Sequence, residues 1–83
     1  MKEIEDVITE PLKEINLFID EVRYEKGKTN TLYITLYNDS TIDMDKIVEA
    51  SKVISSILDK YDFIKEKYVL DVSSKEKGRS QNE

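Results

Sequence analysis

With 83 residues and a net charge of −5, from 13 basic and 18 acidic side chains, the chain has room for one small domain and no deep substrate cavity; a chain this short buries only roughly 60% of the surface its unfolded form exposes. Cysteine and histidine are both absent, which removes disulfides, thiolate nucleophiles, the commonest zinc ligand and the commonest general base near neutral pH. The basic residues are interleaved with acidic ones, which disfavours direct nucleic-acid binding, and no apolar run approaches the roughly 20 residues of a membrane helix, so a cytoplasmic location and no membrane partner are expected.

Ile4, Val7, Ile8, Leu12 and Ile15 recur at helical spacing opposite Lys2, Glu3, Glu5, Asp6, Glu10, Lys13 and Glu14, which predicts a first helix over about residues 2–15. Pro11 falls inside it and removes one backbone donor, so a kink or a less firmly held N-terminal half is expected there. Residues 17–24 read as a strand. Leu17 and Ile19 share one face and Val22 and Tyr24 the other, so the apolar phase slips near Asp20 and Glu21. A β-bulge accounts for the slip; a strand covered on both faces is the alternative.

Residues 25–30, polar with Gly27 among them, form a hairpin connection. In the next strand, residues 31–37, Leu32, Ile34 and Leu36 alternate with Tyr33, Thr35 and Tyr37. Such alternation marks a sheet with one packed face and one wet face. Asp43 is placed to cap a second helix, with Ile42 and Ile47 as a hydrophobic staple across its start. Its expected buried stripe is Ile47, Ala50, Ile54, Ile57 and Leu58; Lys46, Glu49, Lys52, Ser56 and Lys60 form the wet side, with Val48 and Val53 half covered.

Residues 59–67 are expected to connect, with Tyr61, Phe63 and Ile64 as satellite core contacts. A third strand follows over residues 68–73, with Tyr68, Leu70 and Val72 inward and Val69, Asp71 and Ser73 outward. Residues 75–83 contain no apolar side chain and are expected to be a disordered polar tail behind a domain of residues 1–74. The fold class is therefore α+β: a two-layer α-β-β-α-β domain with two helices on one face of a three-stranded sheet.

The helix ending in Leu58 and Asp59, the spacer, and a strand reading Tyr68-Val69-Leu70-Asp71-Val72-Ser73-Ser74 together resemble the N-terminal domain of the ribosome maturation factor (RimP) family. The resemblance extends over about residues 4–74, with Asp71 in place of the family's Glu, and the family often carries a proline at the place of Pro11. It implies the same layout, akin to KH-like domains. It also implies a non-enzymatic role without cofactors: late assembly of the small ribosomal subunit, through binding of ribosomal proteins and the maturing particle. Ser73 and Ser74 match the family's double serine, and Arg79 falls at the place of an Arg that follows it. Lys75 and Glu76 stand where the family has Pro-Gly. The family's barrel-like C-terminal domain is not expected within these 83 residues, so the chain reads as an isolated N-terminal domain or a reduced member.

Candidate chemistry is sparse. The carboxylate pairs Asp43/Asp45, Asp59/Asp62 and Asp20/Glu21 are accounted for by caps, turns and solvated faces, and catalysis is not expected. The KH Gly-x-x-Gly clamp is missing. Tyr33 and Tyr37 could stack bases, but without surrounding Arg and Lys they suit protein contact better. Candidate partner-binding residues are thus Tyr33, Tyr37, Asp71, Ser73, Ser74 and Arg79, with a frayed strand end as the plainer reading of the two serines. The competing functional readings are a stand-alone protein-interaction module and a KH-shaped RNA binder.

Overall fold

The computed structural model describes residues 2–75. Elements follow in the order α1 (Lys2–Lys13), β1 (Phe18–Glu25), β2 (Thr31–Tyr37), α2 (Met44–Tyr61) and β3 (Val69–Ser74). The sheet order is β1-β2-β3, with β1 antiparallel to β2 and β3 parallel to it. A hairpin suffices for the first pairing; the parallel one needs a crossover, which α2 supplies. Helix α1 packs on β1, α2 on β3, and the two helices touch. Between helices and sheet lie Ile4, Ile8, Leu12, Leu17, Leu32, Ile34, Leu36, Ala50, Ile54 and Leu58, all buried.

Helix α1 runs through Pro11 as a single element, with the Thr9 hydroxyl donating to the Glu5 carbonyl at 2.6 Å one turn upstream. It ends at Lys13, short of the expected residue 15. The Leu17 amide reaches the Leu12 carbonyl (2.9 Å) and the Asn16 amide the Lys13 carbonyl (2.9 Å), with Asn16 at φ 63°. This pair of bonds is a Schellman motif, with Leu12 and Leu17, both buried, as its hydrophobic contact. Asn is one of the few non-glycine residues that adopts the left-handed region readily. Replacing Asn16 by Ala should therefore cost about 1 kcal/mol, whereas Gly should be tolerated. Equal urea midpoints for the Ala and Gly variants would contradict the left-handed cap.

The phase slip in β1 is a bulge. Ile19 pairs with Leu36 and Glu21 with Thr35, which leaves Asp20 as the extra residue. The inserted residue turns Ile19, Val22 and Tyr24 all toward the core. The Asp20 carboxylate accepts from the Lys75 ammonium at 3.2 Å. Lys75 thus spans from the end of β3 to the bulge. Its own amide also donates to the Leu36 carbonyl at 2.7 Å, so this residue, assigned from sequence to the polar tail, is tied to the sheet. The expected tail at 76–83 lies outside the described residues.

Asp43 caps α2 as expected, its carboxylate accepting from the Lys46 amide at 3.0 Å. The helix continues to Tyr61, one turn beyond the expected end, and stops where Asp62 enters the left-handed region at φ 54° and donates its amide to the Leu58 carbonyl. The fully buried ridge is narrower than the predicted stripe. Ala50, Ile54 and Leu58 fill it, while Ile47 and Ile57 are only half-buried. A helix resting on a three-stranded sheet with one helical neighbour covers a single i, i+4 ridge well, and positions three residues away lie at its margin. Tyr61 is likewise not a core contact: it is 53% exposed and stacks on Phe63 at 5.5 Å, leaving Phe63 and Ile64 against the core.

Candidate interaction face of the sheet

The wet face of the sheet follows from the register. Across the strands run four rows: Phe18–Tyr37, Glu21–Thr35–Ser73, Arg23–Tyr33–Asp71 and Glu25–Thr31–Val69. At one end Phe18 and Tyr37 meet with ring centroids 5.7 Å apart. In the middle the Arg23 guanidinium lies 4.8 Å from the Tyr33 ring centroid, held from both sides by Glu25 at 3.2 Å and Glu21 at 3.9 Å. Tyr33 is consequently half-buried under a cation already bracketed by carboxylates. The four rows carry three carboxylates (Glu21, Glu25, Asp71) against one guanidinium, and Lys75, which alternation returns to this face, is neutralised by Asp20, a balance that disfavours phosphate. Tyr37, 43% exposed, and Val69, 51% exposed, leave apolar surface at opposite ends.

Of the six sequence candidates, Tyr33, Tyr37, Asp71 and Ser73 share this face. Ser74 does not: it sits beside Leu36, half-buried on the helix side, because successive strand residues alternate faces. Arg79 lies outside the described residues. Sequence reasoning missed Arg23 and Glu25, and read Glu21 only as one of a carboxylate pair with Asp20. Their alternation was visible, but only the bulge at Asp20 shows which face it belongs to.

A second cluster seats the connection before β3. The Tyr24 hydroxyl donates to the Glu66 carboxylate at 2.6 Å, and Lys26 lies 3.5 Å from the same oxygen. Asn30 accepts from the Gly27 amide, donates its side-chain amide to the Lys67 carbonyl at 3.1 Å, and offers its own carbonyl to the Val69 amide at 2.8 Å. One asparagine thereby closes the hairpin and sets the start of β3. Desolvation of the half-buried ring, together with the Glu66 carboxylate it bonds, pushes the Tyr24 hydroxyl up to about 12. The hydrogen bond from Tyr24 in turn holds Glu66 below the usual carboxylate range.

A folded-state value above the unfolded one means a contribution complete below pH 10 and lost as pH rises through 12. The stability gap between the wild type and Tyr24→Phe, present at pH 8, should therefore close across that window in urea titrations. A gap unchanged from pH 8 to 12 would show that this hydroxyl proton does not matter to folding.

Three concave surfaces among the described residues are open grooves of ≈ 420 to ≈ 530 Å³ along element margins. Among the described residues no group of three or more His, Cys, Asp or Glu side chains is placed to hold a metal. Four of the six nominated carboxylates have structural partners: Asp43 caps α2, Asp62 pairs with Lys65, Asp20 with Lys75 and Glu21 with Arg23. Also among the described residues, no helix is long and apolar enough to cross a membrane.

A family model described as the RimP N-terminal domain matches residues 7–75. The chain belongs to this family. The matched span starts within α1 and ends at Lys75, so it takes in part of α1 and every later element, including the Lys75 contacts with Leu36 and Asp20. Membership ties the domain to ribosome maturation, and the family implies interaction with ribosomal components.

Proposed function

We propose that this domain is a non-catalytic, cytoplasmic factor that assists assembly of the small ribosomal subunit by binding ribosomal proteins on the maturing particle. The observation that carries the reading is the family match over residues 7–75. Two features support it. The net charge of −5 complements basic proteins, and the wet sheet face offers Tyr37 and Val69 beside carboxylates rather than a cationic path for a nucleic-acid backbone. The sequence has neither histidine nor cysteine, the commonest general base and the thiolate nucleophile, which favours a binding role over catalysis. Sedimentation of the chain with small-subunit precursor fractions at low and moderate salt tests it. Co-migration with the precursors is the expected result, and absence from those fractions at both salts rejects it.

The competing reading, a protein-interaction module with no ribosomal role, draws on the same exposed Tyr37 and Val69. Retention of a non-ribosomal protein, with none of the chain on precursors, would favour it.

A further inference from the structure

The two edges of the sheet are not alike. The β1 edge is interrupted by the bulge at Asp20 and carries Glu21, Arg23 and Glu25, features that discourage strand addition. The β3 edge has none of these protections. Its six residues keep an unbroken register with β2, contain no proline or lysine, and bear Asp71 as their one charge. Among the described residues no further strand pairs with the outer side of Val69–Val72. The ladder to β2 uses the amides of Val69 and Lys75. Because backbone groups alternate in direction along a parallel strand, Leu70 and Val72 direct their N–H and C=O groups outward.

Beside this edge, between α2 and β3, lies an open groove of ≈ 500 Å³ lined by Ser51, Lys52, Ser55, Ser56, Asp59 and Leu70. Its small serines and the Leu70 side chain leave room for every second side chain of an added strand, and the charges of Lys52 and Asp59 offset each other. The remaining side chains would fall on the wet face next to Asp71, which enters no ion pair among the described residues.

We propose that the outer edge of β3 and the adjoining groove are a docking site for an extended segment of a basic protein. The segment adds as a fourth strand, placing small apolar side chains against Leu70 and a lysine or arginine beside Asp71. This rests on the assembly-factor reading for the partner's basic character and specifies how such a partner is held. Main-chain hydrogen bonds supply affinity and alternate side chains supply specificity in this mode of recognition. Charge selects this occupant over a second copy of the chain: each copy carries −5, and antiparallel pairing centred on Asp71 would set two like carboxylates directly opposite.

The test is amide hydrogen exchange on the full chain, with and without a synthetic ten-residue peptide alternating lysine and valine. A peptide with glutamate in place of lysine serves as the control. The Leu70 and Val72 amides should gain at least about tenfold protection with the lysine peptide only, and Asp71→Lys, an exposed substitution, should reverse the preference. Unchanged protection at millimolar peptide overturns the proposal. So does protection that rises with protein concentration without peptide, since a second copy then occupies the edge. The two readings fail separately: edge protection without co-migration on precursors removes the ribosomal role and leaves the docking mode, whereas co-migration unaltered by Asp71→Lys, with no edge protection, removes the docking mode alone.

Discussion

Truncating Ile34 to alanine should remove about 3 kcal/mol of stability. Ile34 lies fully buried at the middle of the central strand, with Val22 beside it on β1 and Val72 on β3. Both neighbours pack against the same core, so a truncated side chain leaves a void inside that core with aliphatic residues on either side. A domain of this size holds on the order of 4–12 kcal/mol in total. The loss is therefore a large share, and the urea midpoint should fall by about 2 M. The chain should still fold at low temperature, since the hairpin and the α2 cap are untouched. A loss below about 1 kcal/mol would mean that Ile34 is not enclosed between helices and sheet as described.

Enlarging Ala50 to leucine should also destabilise, by about 1–3 kcal/mol, through overpacking. Ala50 is fully buried on the α2 ridge and belongs to the same core cluster as Ile54 and Leu58. Alanine and leucine have similar helix propensities, so a loss reports the steric fit of α2 on its neighbours and not the helix itself. Val48 provides the control. It lies on the same helix but is 47% exposed, and Val48→Ser should stay within about 0.5 kcal/mol. If Ala50→Leu leaves the urea midpoint unchanged or raises it, α2 stands farther from its neighbours than the buried ridge requires.

The readings that held depended on local chemistry. A second helix opened by an aspartate cap, a strand with clean two-residue alternation and a phase slip at Asp20 each leave their mark within a few consecutive residues. The element order and the family resemblance follow from such marks, because periodicity and caps act over one or two turns of chain. The readings that needed revision concern margins. The extra turn of α2 to Tyr61 depends on where Asp62 adopts a left-handed conformation, and the end of α1 on Asn16 doing the same.

Which candidate residues meet was a tertiary outcome. Tyr33 and Asp71 are 38 positions apart, and only the parallel register of β2 and β3 makes them neighbours, with Arg23 delivered to the same row by the bulge. Ser74 was separated from Ser73 by the same alternation. Local sequence alone thus determined an acidic α+β domain with a helix-covered sheet. Strand order, the exposed edge of β3 and the covering of Tyr33 by Arg23 were decided by long-range pairing. Asn30 shows why: its bonds to Gly27 and Lys67 and its carbonyl's bond to the Val69 amide join segments that have no local reason to be adjacent.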